Sequence, residues 1–217
     1  AVYVTPHHQF PTTVTLSGPR RLELLDLAAH ERFAVIEDDY DHEFHYSGKP
    51  VLPMASIDRA GVVAYVGTLS KVLAPGLRIG FVAAPSDLIE KLVAYRSFVD
   101  LQGDHVLECA IAQMLEDGLI QRHVRKMRRA YCSRLGTLAA ALRQQLGDFL
   151  TFREPSGGTA IWVRTRSIRM MVQWARAARD RGVVFDAGGA FTLNGVPASG
   201  ARLGFACLTE DELGRAV

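Results

Sequence analysis

Lysine is scarce in this chain. Of 25 basic residues among 217, only Lys49, Lys71, Lys91 and Lys126 are lysines. Arginine stays protonated at usable pH, so its guanidinium is no amine nucleophile. Any imine chemistry therefore has four candidates. Cysteine is scarcer still: Cys109, Cys132 and Cys207 stand far apart. Their odd number and the lack of a CxxC pair suggest neither a disulfide framework nor a zinc site. Such usage points to a reducing compartment, the cytoplasm. No apolar run approaches the length of a membrane span, and no stretch reads as a signal peptide. The net charge of +2 is too small to argue for nucleic acid or an acidic surface as a direct partner.

What is present reads as an ordinary globular chain, 48% hydrophobic and 22% charged. Its length allows one large domain or two modest ones, each with a real core. The first hundred residues alternate short apolar runs with helix and loop. Ala1–Thr5, Phe33–Glu37, Val62–Gly67 and Ile79–Ala84 read as strands, and their continuous apolar character suits burial on both faces of an α/β sheet. Pro19 opens a helix along which Leu22, Leu25 and Ala29 recur. Ser86 is expected to cap a helix through Phe98, and Asp104 another through Glu116, with Gly118 as a break. From Val124, apolar residues at threes and fours (Met127, Tyr131, Leu135, Leu138, Leu142, Leu146) predict one long amphipathic helix ending at Gly147. A smaller α+β part follows: strands at Ala160–Arg164, Val183–Asp186 and Ala201–Ala206, and a helix over Ile168–Arg181. Trp162 and Trp174 read as core residues there. The expected division places a partial large domain at residues 1–118, then a bridging helix and small domain at 119–217.

Two segments carry chemistry. The first is Glu37-Asp38-Asp39-Tyr40-Asp41-His42-Glu43-Phe44-His45, with five carboxylates and two imidazoles in nine residues. Such ligands suit divalent cations. The calcium-loop pattern fails, however, and no further His motif closes a site, so a solvated acidic loop is the plainer reading. The segment nonetheless follows a strand, where α/β sheets bind ligands. The second runs from Gly67 to Gly80 and holds Thr68, Ser70, Lys71 and Arg78. Its hydroxyls, planar cation and glycines suit a phosphate, although the P-loop pattern is absent. Lys71 alone reads as a surface lysine. Near other cations and out of water, its neutral amine would form an imine. A phosphate grip, such a lysine and an acid on a neighbouring strand together match the needs of pyridoxal phosphate.

Residues 4–12 (Val4 to Thr12), 20–25 (Arg20 to Leu25), 37–44 (Glu37 to Phe44), 67–80 (Gly67 to Gly80), 123–128 (His123 to Arg128) and 202–206 (Arg202 to Ala206) together resemble fold-type I pyridoxal-phosphate proteins, the aspartate aminotransferase-like group. More narrowly, the chain resembles the aminotransferase-like domain of the MocR/GabR/PdxR transcriptional regulators, a branch of the GntR family. The resemblance implies an α/β fold: part of a large domain with a mostly parallel sheet, then a small α+β C-terminal domain. It implies that Lys71 forms the aldimine with pyridoxal 5'-phosphate, that Asp38 pairs with the pyridine nitrogen, and that Tyr40 contacts the 3-oxygen. Thr68, Ser70 and Arg78 would hold the phosphate, and Arg202 would receive a substrate or effector carboxylate. No metal is implied.

The implied protein is a regulator sensing an amino compound, an amino acid or the cofactor, with a winged-helix DNA-binding domain upstream of Ala1 and a homodimeric full-length form. The chain then reads as a C-terminal fragment, expected to bind cofactor poorly by itself because the family's glycine-rich turn and ring-stacking side chain would lie upstream. Phe10-Pro11-Thr12-Thr13 stands where stand-alone aminotransferases commonly have Asn-Pro-Thr-Gly, and Asp38-Asp39-Tyr40-Asp41 where they tend to read Asp-Asp-Pro-Tyr. The Phe favours the regulator branch. The rival is a working class I/II aminotransferase, a transferase in which Lys71 also moves a proton as general base. A weaker rival is a metal-dependent hydrolase using Asp38–His45. His7 and His8 are candidate pocket-wall residues or simply packed at a strand end. Arg122, Arg125, Lys126, Arg128, Arg129 and Arg134 read as a solvated helix face.

Overall fold

The computed structural model describes residues 1–49 and 51–217. Two compact units are present. The first comprises residues 1–9, 15–43 and 49–126; the second comprises 10–14, 44–48 and 127–217.

The first unit holds a sheet in the order β1-β2-β3-β4, formed by β1 (Val2–Val4), β2 (Val35–Asp39), β3 (Val63–Thr68) and β4 (Gly80–Ala83). β1, β2 and β3 run parallel, and β4 is antiparallel to β3. The sheet is mostly parallel, as expected. Burial on both faces is not found. On β2 and β3 buried residues alternate with half-buried ones, and all four residues of β4 are exposed. Val35, Glu37 and Asp39 are buried on β2, and Val63, Tyr65 and Gly67 on β3. The period of two sends these to one face and Ile36, Asp38, Val66 and Thr68 to the other.

Helix α1 (Gly18–Glu31) carries Pro19 in its first turn, where a missing N–H costs nothing. Its buried face is Arg21, Leu25 and Ala28, not the expected Leu22, Leu25 and Ala29. Arg21 is fully buried because its guanidinium donates to three carbonyls: Leu16 at 2.9 Å, Leu52 at 2.7 Å and Pro6 at 2.9 Å. Leu25, Ala28, Val35, Met54 and Val63 form the core beneath. A second cluster joins Val72, Leu69, Leu73 and Ile79 to Ile111 of α3 (His105–Glu116) and Ile120 of α4 (Leu119–Leu146). Asp104 caps α3 by accepting from the Leu107 N–H at 3.0 Å. Ser86, expected as a cap, is instead the first residue of α2 (Ser86–Val99); Pro85 takes the cap position without a side-chain bond.

The second unit holds an antiparallel sheet, β5-β6-β8-β7, from β5 (Leu150–Phe152), β6 (Ala160–Thr165), β7 (Asp186–Ala187) and β8 (Gly200–Gly204). Its core joins Leu135, Leu138, Ala139 and Leu142 of α4 to Ile161, Val163 and Ala201. Met171 of α5 (Ile168–Asp180) and Leu213 of α6 (Glu210–Ala216) complete it. Thr209 and Glu212 form a capping box at the start of α6. The strand expected at Val183–Asp186 begins only at Asp186. The Val183 N–H is used up closing α5, bonding the Ala178 carbonyl at 2.9 Å after Gly182 turns at φ +84°. Trp174 packs at the edge of this core, whereas Trp162 lies half-buried on the other sheet face.

Candidate cofactor site

The parallel strands of the first unit end side by side. Asp38 is in register with Val66, and Thr68 lies two residues further along β3 on the same face. The turn after β3 carries Lys71. It is closed at its base by the Leu69 N–H bonding the Ile79 carbonyl at 2.9 Å. Within it, Thr68 Oγ1 accepts from the Ser70 N–H at 3.1 Å and donates to the Ile79 carbonyl at 3.4 Å. Ser70 and Val72 are buried, and Lys71 between them is exposed. The backbone is thus pinned on both sides of an amine that faces outward. Thr68, Ser70 and Lys71 share this turn. Arg78, at the far end of the loop, is exposed and adopts the left-handed region at φ +51°.

Asp38 is half-buried and accepts a hydrogen bond on Oδ2 from the phenol of Tyr3, two residues back across the β1–β2 register. The sequence reading missed Tyr3; its place on the neighbouring strand, on the face of Asp38, was the available signal. Tyr40 lies just past the strand and donates from its phenol to the His8 carbonyl at 2.7 Å.

Asp39 faces the opposite way and is buried. Its Oδ2 accepts from the Tyr65 phenol at 2.9 Å and has Nδ1 of His42 and Nδ1 of His7 each at 3.1 Å. His8 Nδ1 lies 2.6 Å from Asp41 Oδ1, both groups buried. Burial disfavours the ionised Asp39, but His42 and His7 outweigh it and hold the carboxyl well below the usual range. Burial and Asp39 together push the Tyr65 phenol far up. The carboxylates and imidazoles of the acidic segment are therefore paired mainly with one another and with the end of β1. Among the described residues, no group of three or more His, Cys, Asp or Glu side chains converges to hold a metal ion.

Arg202 lies in the second unit, on β8, opposite Trp162 of β6 and Asp186 of β7. This face points away from the core formed by Ile161, Val163 and Ala201. The guanidinium carbon stands 5.5 Å from the centre of the Phe10 ring. Phe191 meets both Phe10 and Trp162 edge-on, at 5.6 and 5.4 Å between centroids. Nε of Arg202 is buried and has no hydrogen-bond partner. A cation with an unpaired donor, framed by aromatic rings, suits a carboxylate attached to an apolar body.

The family model described as aminotransferase class I and II matches residues 6–217. The chain belongs to the class I and II aminotransferase family. Among curated proteins it is 35% identical to the "Probable rhizopine catabolism regulatory protein MocR" of Rhizobium meliloti, over 94% of this chain and 42% of that protein. It is 32% identical to the "Uncharacterized HTH-type transcriptional regulator YhdI" of Bacillus subtilis, over 98% of this chain and 45% of that one. Among solved structures, the kynurenine aminotransferase of Pyrococcus horikoshii in complex with PMP superposes with a TM-score of 0.91 at 31% identity, covering 99% of this chain and 53% of that one. This aminotransferase-family chain thus spans about half the length of the relatives it matches. The fold-type I architecture expected from its motifs is the one found. No helix among the described residues is long and apolar enough to cross a membrane.

Proposed function

We propose that this aminotransferase-family domain binds pyridoxal 5'-phosphate and serves as the effector-sensing part of a MocR-type transcriptional regulator. The observation that carries the cofactor reading is Lys71: an exposed amine on a turn pinned by buried Ser70 and Val72, beyond the end of β3 and next to β2, which bears Asp38. The donor set fits the group. When bound, the cofactor supplies an aldehyde that amines condense with and a ring that draws off electrons. Lys71 offers the amine. Asp38, whose Oδ2 accepts from the Tyr3 phenol, offers the acceptor for a protonated ring nitrogen. Tyr40, whose phenol donates to the His8 carbonyl here, would turn that donor to the ring oxygen, and Thr68, Ser70 and Arg78 offer the phosphate donors. Arg202 holds the carboxylate of the amino compound that is sensed.

Similarity to MocR and YhdI over nearly all of this chain supports the regulatory reading. In it, DNA is bound by a winged-helix domain elsewhere in the protein, the protein is a cytoplasmic homodimer, and the effector acts by binding one of two states more tightly. Similarity to the kynurenine aminotransferase favours a second reading, a working aminotransferase. One experiment separates them. The full-length protein is loaded with pyridoxal phosphate and given a panel of amino acids and amines. DNA affinity and amino-group transfer to a 2-oxo acid are then both measured. The regulator reading expects DNA affinity to change with the effector and turnover to be negligible. Sustained turnover with unchanged DNA affinity would make it an enzyme.

A further inference from the structure

The last backbone pair of β1 and β2 joins Val4 to Glu37. Beyond it, side chains take over the pairing. His7 Nδ1 lies 3.1 Å from Asp39 Oδ2, an ion-pair contact without hydrogen-bond geometry, the Tyr40 phenol donates to the His8 carbonyl, and His8 Nδ1 donates to Asp41 Oδ1. Three successive residues of one segment are thus held to two successive residues of the other. His7 is itself fixed from behind, donating from Nε2 to the Val51 carbonyl at 2.6 Å.

We propose that Asp39, through His7, His42 and Tyr65, is the positioning residue that holds Asp38 and Tyr40 in place for the cofactor ring. The inference rests on the cofactor reading above. Asp38 and Asp39 are neighbours on a strand, so their side chains leave opposite faces. Asp38 can meet a ring accurately only if the backbone behind it does not move. Asp39 supplies that anchor, because one buried oxygen is approached from three separate directions: the end of β1, the turn after β2, and β3. Tyr40, on the other side of Asp39 in the chain, is held by the same arrangement.

The anchor is electrostatic as well as steric. Asp39 is faced by His7 after β1, by His42 and Glu43 after β2, by Glu37 on its own strand, by Tyr65 on β3 and by Arg21 on α1, and Asp41 faces His42 and Glu43. Burial lowers the proton affinity of His42, but Asp39, Glu43 and Asp41 outweigh it and raise it above the ordinary imidazole value. The attraction between His42 and Asp39 is full at mildly acid pH. It fades as pH rises through the folded-state value of His42.

The test uses Asp39→Asn, which keeps the volume and an acceptor for Tyr65 but removes the charge. His42→Gln is the milder partner, since His42 is only 36% exposed in its side chain and a glutamine amide retains a donor. Three quantities are read in the full-length protein: backbone hydrogen exchange of residues 38–41 without cofactor, pyridoxal-phosphate affinity from the visible band, and the NMR titration of His42. Asp39→Asn is expected to speed exchange there, to weaken affinity by about tenfold, and to lower the titration point of His42 from its raised position. His42→Gln should move exchange and affinity the same way by less. Unchanged exchange and affinity in either folded variant would overturn the proposal, and if Asp39→Asn does not fold, His42→Gln decides. Faster exchange in a protein whose wild type takes up no pyridoxal phosphate would instead overturn the cofactor reading, and with it the role assigned to Asp39.

Discussion

Tyr3 donates a hydrogen bond from its phenol to Oδ2 of Asp38 on the next strand. Burial and the Asp38 carboxylate push that phenol up to about 12, so it remains a donor throughout the physiological range. That hydrogen bond fixes the orientation of the carboxyl that a protonated ring nitrogen would meet. Tyr3→Phe should therefore weaken cofactor binding by about fivefold, near the net worth of one ordinary hydrogen bond. An absorbance titration measures this, and unchanged affinity would remove Tyr3 from the site.

Gly80 sits where the Lys71 loop rejoins the sheet, opposite Thr68. A Cβ there would lie 2.7 Å from the Gly67 carbonyl oxygen, which is backbone and cannot swing aside. Gly80→Ala should cost about 1–3 kcal/mol in urea unfolding and should reduce reductive labelling of Lys71. Gly76→Ala is the control. Nothing lies within 4 Å of its added Cβ, so its stability should change by about 0.5 kcal/mol or less.

Arg202 is expected to act on the effector and not on the cofactor. Arg202→Lys keeps the charge but loses the planar fork. The visible band of the bound cofactor should persist in this variant. The spectral response to a carboxylate-bearing amine should need about tenfold more ligand or greater. Loss of the band itself would mean that Arg202 supports the fold or the cofactor instead.

The Asp39 cluster also sets a pH dependence of stability. The Asp39 carboxyl is lowered in the fold, so its contribution is present above the unfolded value, about 3.9. It is lost as pH falls through the folded value. His42 is raised, so its contribution is present below about 6.5 and is lost as pH rises through its folded value. Thermal unfolding across pH should show both flanks, and Asp39→Asn should flatten both relative to wild type.

Much of this was legible in the amino-acid pattern. The runs ending at Glu37 and Gly67 read correctly as β2 and β3 because each is apolar, short and bounded by polar turns. The expectation of burial on both faces failed for β4, whose apolar residues Phe81 and Val82 stand exposed. Composition records what a strand offers to a neighbour, not whether the neighbour packs there. Arg21 escaped notice because helical spacing counts apolar residues, and its burial depends on carbonyls of loops whose course no local pattern fixes. The candidate site divides the same way. Lys71 stood out because lysine is rare and because it follows a strand. Asp38 and Asp39 were expected just after the strand; β2 instead runs through Asp39, and its period of two then turns the two carboxylates to opposite faces. That His7 and Tyr65 meet Asp39 depends on strand order, which only the fold supplies.

The central claim is that Lys71 is the amine that holds pyridoxal phosphate. The most direct measurement is reduction of the cofactor-loaded full-length protein with borohydride, followed by peptide mass spectrometry. A phosphopyridoxyl group on Lys71, absent from Lys49, Lys91 and Lys126, with loss of both label and visible band in Lys71→Ala, is the expected result. The same band and label in Lys71→Ala would contradict the account.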